Sequence, residues 1–254
     1  MRRMRHLKPR EIGSCDVAYQ PFRPETLYDA TSGGSLVAAS AAIARMEDVS
    51  GNGNHATQST SGARPTRQVA ARNGMDAARF DGTDDVLTAG DVADMLGNPV
   101  EMYAVFINSA NTGCGVFGKS RAATGGGRFA ITNNPPNDEC LFAGSIAAGT
   151  VATFAQSTAL KVLYMHHPRG TANVTLVRNA KTTAGTSQAD SGASFDSTDS
   201  LIVGAYQTSI GAPSLAGTFL GGDIVECAKF SRNLGTHVRL RVQHAAMRRA
   251  RIAG

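Results

Sequence analysis

The feature that most constrains this chain is a rhythm. From residue 77 onward, short apolar runs alternate with turn signals at roughly ten-residue spacing. The runs are 77–81 (AARFD), 85–88 (DVLT), 100–108 (VEMYAVFIN), 114–118 (CGVFG), 128–132 (RFAIT), 139–143 (ECLFA), 150–155, 159–166 (ALKVLYMH), 173–179 (NVTLVRN), 200–205 (SLIVGA) and 222–230 (GDIVECAKF). Between them stand DGTDD, NTGCG, TGGG, NNPPND, DSTD and GAPSLAG, whose Gly, Asn, Asp and Pro residues favour tight turns. Many short strands at even spacing bury their apolar faces by packing two sheets together or closing into a barrel. The expected fold class is therefore all-β and antiparallel. In VEMYAVFIN, Met102, Ala104 and Phe106 face oppositely to Tyr103, Val105 and Ile107. Both faces are apolar, which predicts a central strand covered on both sides.

The two ends break the rhythm. Residues 1–24 contain Pro9, Pro21 and Pro24 and no apolar periodicity, which reads as an extended N-terminal arm, either a solvated tail or a segment that orders on a neighbouring subunit. Residues 235–252, GTHVRLRVQHAAMRRARI, predict one short amphipathic helix with Thr236 as N-cap and its Arg-rich end where the helix dipole favours cations. The Ala-rich stretch 35–47, SLVAASAAIARME, is compatible with helix or strand. The organisation expected is arm 1–24, sandwich 25–234 and basic C-terminal helix 235–254.

Charge follows the same division. The net charge of +5 conceals five basic side chains in residues 1–10 (Arg2, Arg3, Arg5, Lys8, Arg10) and five in residues 239–251 (Arg239, Arg241, Arg248, Arg249, Arg251), with no acid in either segment. The remaining fifteen basic residues face all twenty acids, leaving the body at −5. A uniformly basic nucleic-acid-binding domain is disfavoured. Arg2, Arg3, Arg5, Lys8, Arg10, Arg248, Arg249 and Arg251 are the expected contacts to partners or to other copies of the chain. No apolar run approaches the ~20 residues that span a bilayer. No apolar segment follows the basic start, so a secretory signal is not expected and synthesis in the cytoplasm is. Cys15, Cys114, Cys140 and Cys227 are widely spaced, without a CxxC pair, and read as small buried hydrophobes.

Few residues suggest chemistry. DVSGNGNHATQ (48–58) partly matches a calcium loop through Asp48, Ser50, Asn52 and Gly53, but Ser59 stands where such a loop needs its last acid. Asp48 and Asn52 are the weak metal candidates, with calcium the cation; the alternative is a turn in which Asp48 bonds the loop's own amides. No other cofactor is expected. Glycoside hydrolysis needs two carboxylates flanking one bond. Asp84–Asp85 and Asp138–Glu139 read instead as solvated turns, and Glu226 as a buried partner for an arginine. His166 and His167 are adjacent, so a strand would point them to opposite faces, away from a shared metal. There is no G-x-S-x-G elbow, and TGGGR lacks the helix and Lys-Ser/Thr of a phosphate cradle.

Taken in order, LYDATSGG, SGNGNHATQ (50–58), Arg64–Pro65, RFDGTDD (79–85) and the closing GDIVECAKFSRNLGTHVRLRVQHAAMRRA resemble the concanavalin A-like lectin/glucanase domains of the laminin-G-like kind. The resemblance spans about residues 26–250. It implies a two-sheet jelly-roll sandwich closed by a helix, and little about function, because this fold hosts lectins, hydrolases, adhesion modules and virus proteins. The chain departs from the pattern at Met46-Glu47-Asp48, where the family often has Trp, and it contains no Trp at all. It also lacks the E-x-D-x-x-E strand typical of the family's hydrolases.

The expected function is a non-enzymatic structural protein of a bacteriophage virion, in the capsid decoration or the tail, attached to other virion proteins and to copies of itself through its arm. The alternative is a carbohydrate-binding or host-adhesion module that touches surface glycans. No membrane partner is expected.

Overall fold

In VEMYAVFIN the alternation of the sequence becomes the axis of the molecule. This run is strand β8 (Val100–Asn108), and it is buried along nearly its whole length. The computed structural model describes residues 15–92, 99–109, 113–120, 128–145, 148–168, 174–179, 181–184, 200–206 and 219–252. Arg2, Arg3, Arg5, Lys8 and Arg10 lie outside these residues, as do the TGGG, DSTD and GAPSLAG turns.

Two antiparallel sheets form the fold. The first runs β15 (Lys181–Ala184), β14 (Thr175–Arg178), β13 (Lys161–His167), β8, β17 (Gly221–Phe230), β6 (Met75–Asp81), β5 (Thr66–Arg72). Strand β1 (Cys15–Tyr19) shares with β6 the flank of β17 opposite β8. The second runs β12 (Ala148–Ala155), β11 (Asn137–Ser145), β10 (Arg128–Asn134), β9 (Cys114–Ser120), β16 (Ile202–Val203), β7 (Leu87–Thr88), β4 (Ala56–Thr57), β3 (Arg45–Met46), β2 (Leu27–Tyr28). The all-β two-sheet sandwich expected from the rhythm is what the chain adopts.

Two apolar cores result. Between the sheets, Met102, Ala104 and Phe106 pack with Tyr19, Phe80, Phe117, Phe129, Ile131, Leu163 and Met165. On the outer face of the first sheet, Tyr103 and Val105 pack with Tyr164, Val225, Phe230 and the helix α1 (Gly235–Ala250) through Val242, Ala246, Met247 and Ala250. Each large apolar side chain so buried contributes about 1.5–3 kcal/mol. A bulge in β17 between Ile224 and Glu226 lets Ile224 and Cys227 enter the inner core while Val225 and Ala228 join the outer one. Gly204 has φ +87, and a Cβ there would lie 2.1 Å from the Phe80 ring, so only glycine fits.

The structure corrects several boundaries. Residues 15–19 are not part of an arm: Cys15, Val17, Ala18 and Tyr19 are buried in the first sheet, because alternate residues supply both cores. Helix α1 begins at Gly235, one residue before the expected cap Thr236; Asn233 Oδ1 accepts from the Gly235 N–H at 2.9 Å. It ends where Arg251 turns left-handed at φ 51 and the Ile252 N–H reaches back to Met247 O. The Ala-rich 35–47 forms no helix; it runs across the sandwich edge, with only Arg45–Met46 in a strand. Cys15, Cys114 and Cys227 are buried and free, and burial pushes their thiols up, Cys114 to about 11.

Candidate functional site

The outer face of the first sheet carries three carboxylates, each fully or nearly fully buried: Glu101, Asp223 and Glu226. Each is held by arginine. Glu226 receives Arg249 through Nε and Nη2 (2.6–3.1 Å), the Tyr103 hydroxyl at 2.6 Å and the Gln20 amide at 3.0 Å. Glu101 receives the Tyr164 hydroxyl, the Leu234 N–H at 2.8 Å and Arg239 Nε at 3.0 Å. Asp223 is gripped by Arg79 and Arg72. Helix α1 is thus fastened to the sheet by two arginines ten residues apart, as well as by its apolar stripe. Glu226 is the buried arginine partner the sequence suggested. Arg249 is a correction: expected at a partner interface, it points inward, because a buried carboxylate without a cation is far costlier than a buried pair. Burial works against the Arg249 charge, yet Glu226 and Tyr103 raise its pKa above the ordinary value. Arg248 and Arg251 are exposed.

A further pair ties the sheets together at the loop-rich end. Lys161 Nζ donates to Asp138 Oδ1 at 2.7 Å, to Asn108 Oδ1 at 2.6 Å and to Ser157 O, and Arg178 reaches the other Asp138 oxygen at 3.3 Å. Desolvation lowers the Lys161 pKa, and its bond to Asp138 opposes that shift. Asp138, read from sequence as a solvated turn residue, is fully buried. The tight Pro135–Pro136 turn leaves it already inside β11, facing the core. His166 and His167 do lie on opposite faces, His166 Nδ1 standing 3.3 Å from Glu101.

The Asp48 loop is a brace. Asp48 Oδ1 accepts the N–H groups of Ala18 (3.0 Å) and Ser50 (2.9 Å); Oδ2 accepts the Ser50 hydroxyl (2.7 Å) and the Asn54 N–H (3.1 Å). Asn52 donates its amide to the carbonyls of Cys15 and Asp16. Four donors on one carboxylate leave it poorly placed to bind a cation, so the turn reading replaces the calcium reading at Asp48 and Asn52. SGNGN here locks β1 into the first sheet.

Carboxylates of another kind gather at the turn after β6. Asp81, Asp84 and Asp85 bring an oxygen each to within 4.8 Å of one another. Their hydrogen bonds are to backbone N–H groups: Thr83 (2.7 Å) and Asp84 (3.3 Å) to Asp81, and Asp81 (2.9 Å) to Asp85. No cation pairs with them among the described residues. Asp81 and Asp84 are exposed, while Asp85 is only 5% exposed. Desolvation, together with the Asp81 and Asp84 charges, raises the Asp85 pKa from 3.8 to about 6, against the pull of its backbone bond. Calcium–oxygen distances of 2.3–2.6 Å allow two ligands of one ion to stand up to about 5 Å apart, so the trio has the spacing to share a divalent cation. Beside the turn, Val86, Ile202 and Ala205 form a small apolar cluster with the half-buried Phe219 packed against it. From sequence Asp84–Asp85 reads as a solvated turn; the signal against it is that Asp85 directly precedes the apolar run Val86–Leu87, which draws it under the surface.

Fold and site together define a β-sandwich with a carboxylate-lined turn at one end and a helix strapped across one face. No protein-family model matches the sequence, and no curated protein matches it. Solved structures do. An arabinofuranosidase complexed with arabinofuranosyl-alpha-1,2-xylobiose superposes with a TM-score of 0.65 at 14% identity, over 98% of this chain and 66% of that one. A GH54 α-L-arabinofuranosidase soaked with a cyclic sulfate inhibitor gives 0.64 at 14%, over 94% and 65%. The botulinum neurotoxin serotype D ligand-binding domain in complex with N-acetylneuraminic acid gives 0.53 at 11%, over 93% and 51%. This chain therefore spans about two thirds of the arabinofuranosidase chains and half of the toxin domain. The likeness is one of fold.

Proposed function

We propose that this chain is a non-catalytic carbohydrate-binding module whose site is the Asp81–Asp85 turn. The observation that carries the reading is the carboxylate trio beside the Phe219 cluster, which no cation among the described residues compensates. Carboxylates accept hydrogen bonds from sugar hydroxyls, or hold a cation that the hydroxyl oxygens coordinate, and an aromatic ring covers the apolar face of a sugar. The fold supports it, since the structural neighbours include one with bound arabinofuranosyl-xylobiose and one with N-acetylneuraminic acid. A hydrolytic role fits less well. Catalytic carboxyl pairs stand ~5–5.5 Å apart in retaining and ~6.5–9.5 Å apart in inverting enzymes. The turn acids crowd their oxygens within 4.8 Å of one another in a single turn, and the other buried acids named above are held by cations or, at Asp48, by four hydrogen-bond donors. The concanavalin A-like kinship belongs to the same proposal.

The test is a glycan array with and without EDTA, using the natural chain and Asp81→Asn/Asp84→Asn. Binding to one sugar class that is lost in the double variant supports the reading; binding indifferent to both residues overturns it.

A second reading, attachment within a bacteriophage particle, draws on the basic residues 1–10 and on the exposed Arg248 of α1 and Arg251 just past its end. Its test is incorporation into particles after removal of residues 1–14.

A further inference from the structure

The five arginines of α1 and its end divide into two sets. Arg239 and Arg249 turn inward onto Glu101 and Glu226. Arg241, Arg248 and Arg251 are exposed, and none is paired with a carboxylate among the described residues. His237 and His244 are exposed on the same line. Positions 237, 241, 244 and 248 step by four, three and four, which keeps them on one helical stripe, and the exposed Arg251 stands just past its end, where the backbone turns left-handed. At 1.5 Å per residue the stripe runs about 16 Å from His237 to Arg248. The exposed Leu240 borders it.

The helix dipole accounts for Arg248, which lies in the last turn of α1. It does not account for Arg241, which stands mid-helix, with no acid in the first turn and no carboxylate paired with it among the described residues. The inward arginines explain themselves through their carboxylates; Arg241 does not.

We infer that the outward stripe of α1 binds an anionic polysaccharide, sulfated or uronate-rich, along its length. Arginine forks recognise sulfate and carboxylate groups bidentately. A repeating anion matches a row 16 Å long on the helix scale, about three turns. The acidic turn of a second copy does not, since its three carboxylates converge within 4.8 Å. A single-stranded nucleic acid would call for aromatic stacking platforms, and α1 contains no Phe, Tyr or Trp. A membrane surface would call for a free apolar face, and that face of α1 is spent on the sheet. The choice of a polysaccharide rests on the carbohydrate-binding reading; the basic stripe does not.

The experiment is salt elution of the full chain from immobilised heparin, compared with Arg241→Gln/Arg248→Gln/Arg251→Asn. An unchanged thermal melt confirms that the variant is folded. The natural chain is expected to be retained, and the triple variant to elute at lower salt, with the log affinity–log salt slope flattening by about 2–3. Elution of the variant at the same salt as the natural chain overturns the proposal. So does tighter, arginine-dependent binding of single-stranded DNA than of heparin at equal salt, or arginine-dependent self-association in sedimentation that heparin cannot reverse. A glycan array blank for the acidic turn, with heparin retention still dependent on the three arginines, would sink the turn reading and leave this one standing.

Discussion

The outer face of the first sheet and the turn after β6 each gather three carboxylates, and the molecule treats them in opposite ways. On the sheet face, Glu101, Glu226 and Asp223 each meet an arginine and, for the two glutamates, a tyrosine hydroxyl. At the turn, Asp81, Asp84 and Asp85 meet only backbone N–H groups among the described residues. Paired carboxylates under a helix are what holding the fold together requires. Clustered carboxylates without a cation destabilise the fold that carries them, and a ligand bearing donors or positive charge would relieve that repulsion.

The sharpest way to break the comparison is to remove a cation from the sheet face. Arg249→Met should cost about 3–5 kcal/mol in urea unfolding, because Glu226 stays buried without its charge partner. The double variant Glu226→Gln/Arg249→Met should recover much of that loss. Retention of full stability by the single variant would mean that the pair does not fasten α1. Glu101→Gln should cost less, about 1.5–3 kcal/mol: the amide oxygen in the Oε1 position still accepts from the Leu234 N–H, the NH2 in the Oε2 position can donate to the Tyr164 hydroxyl, and the charge-assisted bond to Arg239 is lost.

Removing an acid from the turn should act in the other direction. In the folded chain Asp85 titrates near 6, against 3.8 for an ordinary aspartate. Between these values the folded chain holds a proton that the unfolded chain has lost, so stability falls as pH rises from about 4 to 6 and stays at its lower level above that. Asp85→Asn, which keeps an acceptor for the Asp81 N–H, should raise stability at pH 7 and remove this slope. Thermal melts across pH 4–7 read both, and an unchanged slope would contradict the assignment. A divalent cation held by the trio should likewise flatten the slope in the natural chain. The smallest effect is expected at the exposed Asp84: Asp84→Asn should change stability by less than about 0.5 kcal/mol, so that any loss of glycan binding reports on the site alone.

What could be read in the sequence tracks how local the physics is. Strand β8 spans the 100–108 run because its alternation serves two cores at once. Strand β5, TRQVAAR, has no comparable alternation and is not legible in the sequence, because it is a sheet-edge strand whose side chains are half-buried or exposed. The 35–47 stretch has the composition of a helix, yet Val37 and Ile43 are fully claimed by the inner core, which holds the chain extended. Asp138 and Asp85 escape a sequence reading for one reason. Both stand next to turn residues, and only their strand register shows whether the carboxylate faces water or the interior.

By itself the sequence determined the all-β sandwich, the closing helix, the pairing of Glu226 with an arginine, and the division of charge between ends and body. These follow from periodicity, turn chemistry and counting, which need only neighbours along the chain. The tertiary structure decided which arginine meets Glu226, that the SGNGN loop braces β1 instead of holding a cation, and that three aspartates converge beside Phe219. The first two depend on residues from separate strands meeting across a sheet or at a loop, and the third on the register that buries Asp85 and brings Phe219 beside a turn about 130 residues away in the chain, contacts that sequence order does not record.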